Sequence, residues 1–319
     1  MRIARWFTAA LLAVGLVNGA QAADRLVLSY VTGNAIYWDL NVAIERGFFR
    51  DEGFETSFVA LQSSPSAIQQ VVAGAVNLAA SSPEPVIDAI QRGAADIGIL
   101  VAPSAGVDWT MNVRPEIKSL ADLKGKRIGV SAMKGGEPLL VRQLLAQAGL
   151  NRGDYTLIQI GVSPLKLAAL QKASIDAAPL LPPSGFVAAA NGLPVIADFS
   201  KLQGYPYPVY VTSRSWAKAN NNGKRLSRAI AKAQQWLHDP ANKAEAIAIM
   251  RKYTKQNEEI AEQTYQLYFG PNGFYLKDGL VDLAGLKRLL TSMKEDGDFT
   301  GAIEPEKYVI PRESGGLYR

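Results

Sequence analysis

The chain has no cysteine and a single histidine, His238. Without thiols there is no disulfide framework, no thiolate nucleophile and no cysteine-based metal site. One imidazole cannot build a multi-histidine zinc centre. His238, before Asp239-Pro240 at a helix end, reads as a structural residue, since the helix dipole favours a cation there. No Ser/His/Asp set gathers around it, and Asp39, Glu84 and Glu137 are single carboxylates in their loops, which argues against hydrolase chemistry. Excess charge of one sign is also lacking: 34 Lys and Arg face 29 Asp and Glu, a formal net charge of +5. The basic residues are scattered rather than striped, so no nucleic-acid footprint is present.

A long apolar run is missing too. Trp6 to Val17 is short of the roughly 18 residues of a spanning helix. With Arg2 and Arg5 before it and Ala20-Gln21-Ala22 after it, it reads as a secretory signal over residues 1–22. The mature chain is then expected to start near Ala23, with a formal charge of about +3 once Arg2 and Arg5 are gone. The expectation is an exported, soluble protein, large enough at 319 residues for two lobes or one large domain.

What is present centres on Ser119 to Leu150. Ser119 to Leu123 reads as a capped turn of helix, and Arg127 to Val130 as a short buried strand. Ser131 to Gly136 is a small polar loop. From Glu137 on, Leu139, Leu140, Leu144, Leu145 and Ala148 recur at helical spacing until Gly149. A strand, a glycine-bearing loop and a helix start leave backbone N–H groups and a positive dipole end for an anion.

The chain also repeats itself. Ser64-Pro65 recurs as Ser163-Pro164, Gly74 to Ala79 as Ala173 to Ala178, and Pro83 as Pro182, all at one offset. Two related β-α-β-α-β lobes with mostly parallel sheets follow. The lobes divide as 23–103, 104–206 and 207–319, the last returning to the first lobe with several helices. Ala102 to Gly106 and Gly204 to Pro208 are the expected crossings. Ligands of such sheets sit beyond the carboxyl ends of the strands. Four loops are thereby nominated: Gly33 to Trp38, Ser81 to Pro85, Ser131 to Glu137 and Leu181 to Gly185.

Within them Lys134, Gly135 and Gly136 are the anion clamp, although the order of glycine and lysine is not that of a P-loop. Ser131 either donates a hydroxyl or caps the helix, and the same choice holds for Ser81, Ser82 and Asn34. Tyr37 and Trp38 offer a flat wall or core packing. Ser184 is the polar contact of the fourth loop, because Pro182 and Pro183 donate no N–H. Tyr207 and Tyr210 are further aromatic candidates. No metal or cofactor site is expected.

Asp122-Leu123-Lys124-Gly125-Lys126 resembles a signature of the periplasmic solute-binding proteins of ABC importers. Glu45 to Phe54, Val72 to Asn77 and Asp176-Ala177 extend the likeness to nearly the whole mature chain, within the nitrate/sulfonate/taurine and thiamine-precursor group. The family usually has Asp where Asn77 stands. The resemblance implies a two-lobed α/β Venus-flytrap fold with two hinge crossings, a monomer in the periplasm that hands its ligand to a membrane permease. It also implies that the enzymatic relatives are excluded. Thiamine-pyrimidine synthases need a cysteine-rich motif and a histidine, and desulfinases a nucleophilic cysteine. The expected ligand is a small organic anion, a sulfonate or carboxylate. The alternatives are a thiamine-precursor-like heterocycle, or an enzyme on the same fold that needs no cofactor.

Overall fold

The computed structural model describes residues 23–31, 33–61, 63–104, 106–201, 205–271, 273 and 275–319; the expected signal segment, residues 1–22, lies outside them. The chain begins with β1 (Asp24–Val31), α1 (Trp38–Glu45), α2 (Phe48–Asp51), β2 (Phe54–Leu61), α3 (Ser64–Val72), β3 (Leu78–Ser81), α4 (Pro83–Gln91) and β4 (Ile97–Val101). A second run follows: β5 (Thr110–Val113), β6 (Arg127–Val130), α5 (Gly136–Gln147), β7 (Thr156–Gln159), α6 (Ser163–Gln171), β8 (Ala177–Leu180), α7 (Ser184–Ala190) and β9 (Val195–Asp198). The chain ends with β10 (Val209–Ser213), α8 (Arg214–Lys218), α9 (Asn222–His238), α10 (Lys243–Thr254), α11 (Glu258–Phe269) and α12 (Leu283–Glu295).

The strands form two five-stranded sheets with one plan. The first is ordered β2-β1-β3-β10-β4 and the second β7-β6-β8-β5-β9. In each, four strands run in one direction, and β10 or β5, fourth in the order, runs antiparallel to them. The central strands are apolar along their length, as strands covered by helices on both faces must be. All four residues of β3 and of β8 are buried.

The repeat survives at the level of single hydrogen bonds. The Ser64 hydroxyl accepts the Ser82 amide at 3.0 Å, and Ser163 accepts Leu181 in the same way at 3.1 Å. Asn77 Oδ1 accepts the Val27 amide at 2.7 Å, and Asp176 Oδ2 accepts Arg127 at 2.9 Å. Asn77 thus serves where Asp176 serves, because the contact needs only a side-chain acceptor. Both α3 and α6 carry proline in their first turn, where the missing N–H has no helical partner to lose.

One local expectation changes, and the C-terminal tail takes a defined place on a sheet. Asp122, not Ser119, satisfies the turn before β6: its carboxylate accepts the Lys118 and Ser119 amides. The tail from Glu304 does more than lie on the surface. Val309 bridges to Ile99 of β4, the Ile310 amide donates to the Ile99 carbonyl at 2.7 Å, and Tyr308 to Ile310 are buried. The tail therefore covers a sheet edge that would otherwise offer unpaired backbone groups.

Candidate functional site

The four loops nominated by the repeat meet face to face. Ala35 donates its amide to the Pro182 carbonyl at 3.2 Å, and a Cβ on Gly33 would lie 3.3 Å from the Pro164 ring. On the other diagonal, Cβ atoms built on Gly135 and Gly136 would lie 3.6 Å from Ser82 Oγ and 2.8 Å from Glu84 Oε2. Between them is a small cleft with about 20 Å³ of enclosed space, room for about one water molecule. Ser64, Pro65 and Ser82 line it from one sheet's loops, Ser131, Ala132 and Lys134 to Pro138 from the other's, and Trp109 and Tyr207 from the two crossings.

The third loop makes one wall of this cleft. Gly135 holds φ +112°, a conformation other residues rarely adopt, and Gly136 then opens α5. The first amides of α5 have no intrahelical acceptor and carry the positive end of the dipole. Lys134 stands exposed beside them on the cleft wall. Ser131 lines the cleft, half-buried, and its amide donates to Glu137 Oε1 at 3.0 Å.

Lys166 was not anticipated. It is fully buried, and its ammonium donates to the same Glu137 oxygen at 2.6 Å. Burial lowers the Lys166 pKa, and the Glu137 charge and hydrogen bond oppose that shift. The pair anchors α5 to α6 under the clamp. Nothing local marks it, since Lys166 occupies an ordinary amphipathic position in its helix.

Other nominated residues sit elsewhere. Trp38 is core, not a cleft wall: it is wholly buried, its N–H donates to the Ala246 carbonyl at 2.9 Å, and it packs edge-on against Tyr265, Tyr268 and Phe269. The C-terminal helices supply that apolar surface, which no reading of α1 alone reveals. Tyr37 is also buried, one layer behind the cleft, where it bonds Tyr207. Ser81 turns its hydroxyl onto the neighbouring Ser82 carbonyl at 2.7 Å and is taken out of the cleft. Ser82 remains in the lining without capping α4 through its side chain. Asn34 and Ser184 are buried beside the Ala35–Pro182 contact and outside the lining. Tyr210 bonds Asp39 Oδ1 at 2.6 Å in the core, whereas Tyr207 lines the cleft.

The crossings bring the remaining chemistry. Tyr207 and Trp109 meet edge-on with centroids 5.1 Å apart. Tyr205 donates to both Glu84 oxygens, at 2.6 and 2.7 Å. Asp108 accepts the Tyr268 hydroxyl. Burial pushes Glu84 up to about 7 against the Tyr205 bond, and Asp108 up to about 7 against the Tyr268 bond. Asp39 rises to about 6 for the same reason. These carboxyls hold their protons in the folded chain at pH values where an unfolded one has lost them. Folding stability should therefore be complete near pH 4 and fall as pH rises through about 7. Urea unfolding between pH 5 and 8 should show that decline, and Glu84→Gln should make it shallower. A flat profile would mean that the folded carboxyls titrate normally.

Among the described residues, no group of three metal-ligating side chains occurs and no helix is long and apolar enough to cross a membrane. His238 faces the carbonyl oxygens of Gln234 and Tyr275 at 2.8 and 3.0 Å, in the structural place expected of it.

This geometry has relatives. The binding protein YtlA of Bacillus subtilis is 24% identical over 302 residues, 91% of this chain and 88% of its own. The formylaminopyrimidine-binding protein of Halalkalibacterium halodurans is 29% identical over 128 residues, 40% of this chain and 38% of its own. The alkanesulfonate-binding protein SsuA of Xanthomonas axonopodis pv. citri, solved with MOPS, superimposes with a TM-score of 0.74 at 17% identity, over 92% of this chain and 99% of its own. That likeness is one of fold: two lobes about a cleft, as in the periplasmic binding proteins. The family model described as NMT1/THI5 like matches residues 37–244, well over half of the chain. With its two matched sheets and the cleft between them, the chain belongs to the NMT1/THI5-like family and has the periplasmic-binding-protein fold.

Proposed function

We propose that the chain is the periplasmic substrate-binding component of an ABC importer, closing two lobes on a small organic anion and delivering it to a membrane permease. One observation carries the reading: the start of α5, with Lys134 beside it, forms the wall of a cleft between the lobes. Backbone donors and a lysine suit a sulfonate or carboxylate, and Trp109 and Tyr207 give its body an aromatic surface. Glu84 is the opposing charge next to Gly136. Burial raises it to about 7, so that a proton can remove the conflict. Solute binding rather than turnover fits the relatives, which are named for binding. Neither Glu84 nor Glu137 is free to act as a base, since both are engaged by hydrogen bonds within the chain.

A second reading rests on Trp109 and Tyr207: a planar heterocycle would pack against the two rings in the cleft. The formylaminopyrimidine-binding relative favours it. A thermal-shift screen of the exported chain against sulfonates, carboxylates, nitrate and pyrimidines separates the two. A ligand at about 100 times its dissociation constant adds about 2.7 kcal/mol, a rise of several degrees. A shift with anions that Lys134→Ala abolishes supports the anion reading. A shift with pyrimidines alone, unchanged in Lys134→Ala, replaces it with the heterocycle.

A further inference from the structure

Trp109 is the residue just before β5. It stands on the first crossing and lines the cleft while only 2% exposed. Tyr207 and Phe199 fix its ring edge-on, with centroids 5.1 and 5.8 Å away. Its indole N–H is buried and donates to no residue among those described. Trp38 shows the usual arrangement, with its own buried N–H given to the Ala246 carbonyl. A buried donor without an acceptor destabilises the fold, and phenylalanine would fill similar space without that cost. Among the described residues, buried polar atoms of Asn34, Asp108, Arg142, Thr212 and Gln234 are also unpartnered, yet none of these residues lines the cleft. Among the described residues, Trp109 alone combines an unused polar atom with a place in the lining, which it shares with Lys134, Gly135 and Gly136.

We infer that Trp109 is a specificity-determining residue whose indole N–H donates to an acceptor atom of the captured solute. The inference rests on the capture reading above and sharpens it. An indole can only donate, so the solute must present an oxygen or unprotonated ring nitrogen to the hinge side of the cleft. A solute offering only alkyl or N–H groups there leaves the donor buried and unpaired, and is rejected.

The test uses protein labelled with ¹⁵N at tryptophan, in which the Trp109 indole proton is assigned by its contacts to Tyr207. Without ligand, that resonance should lie upfield of the hydrogen-bonded Trp38 indole. MOPS, benzoate and a formylaminopyrimidine are then added at saturation. Whichever compound stabilises the chain should move the Trp109 signal downfield, and Trp109→Phe should weaken that compound about tenfold. A Trp109 signal already as far downfield as Trp38 before any addition overturns the inference, because the N–H then has an acceptor, buried water included. A compound that raises the melting temperature yet leaves the signal in place overturns it too, while capture itself stands. If no compound stabilises the chain, the capture reading fails and this inference with it. Should Trp109→Phe not fold, the wild-type spectra decide alone.

Discussion

A single methyl group at position 136 should abolish solute capture and leave the fold intact. Gly136 is the first residue of α5, in an ordinary helical conformation, so alanine there costs the helix nothing and improves its propensity. The obstacle lies across the cleft. A Cβ on Gly136 would sit 1.7 Å from the Tyr205 hydroxyl oxygen and 2.8 Å from Glu84 Oε2. Tyr205 cannot easily swing aside, because it is buried and its hydroxyl is held by both Glu84 oxygens. The lobes must part instead. When the competent closed state becomes rare, apparent affinity falls by the same fraction, so Gly136→Ala should bind any compound from the screen at least about 100-fold more weakly. Calorimetric titration reads the affinity, and small-angle scattering should show a larger radius of gyration. Adding Tyr205→Phe, which removes the clashing oxygen, should recover part of the loss. Gly136→Ala with wild-type affinity would mean that the lobes close in some other register.

The second large effect is on stability. Lys166→Met should cost about 3–5 kcal/mol in guanidinium unfolding, because it strands the Glu137 carboxylate in a buried site. The pair itself need contribute little: both charges were taken out of water to make it. Glu137→Gln added to Lys166→Met should therefore restore most of the loss, since no charge is then left to desolvate. If the single variant unfolds at the wild-type midpoint, Glu137 must find another partner or take up a proton. The double variant would still leave the Ser131 amide with an acceptor in the glutamine oxygen, so it tests charge rather than loop geometry.

Much of this architecture could be read from the order of residues, because it is periodic. Ser64-Pro65 and Ser163-Pro164 recur at the offset that joins Ser82 to Leu181, and the structure makes that offset physical as one hydrogen bond made twice. The glycine-bearing start of α5 was legible for the same reason: its chemistry is local. What was not legible depends on contacts between distant segments. Trp38 and Tyr37 are neighbours with similar side chains, yet the C-terminal helices claim the first while a crossing residue claims the second. Glu84 looked like an isolated carboxylate until Tyr205, far along the chain, was brought to it. Lys166 has the pattern of an exposed lysine, and only the packing of α6 on α5 buries it. Trp109 is named by no motif, and its unused N–H cannot appear before the fold exists.

The return of β10 to the first sheet also bears on the order in which the molecule can assemble. Every strand of the second sheet comes from one continuous piece of chain, β5 to β9, so that sheet can close without waiting. The first cannot. Its β4 pairs with β10 and with Val309, both supplied only by the C-terminal part of the chain. The half that emerges first is therefore the half that finishes last, holding an unpaired strand edge until residues 209–213 arrive. Such an interval exposes a surface prone to wrong pairing. Premature termination before β10 should accordingly yield a chain that aggregates through its N-terminal half while the middle has already folded.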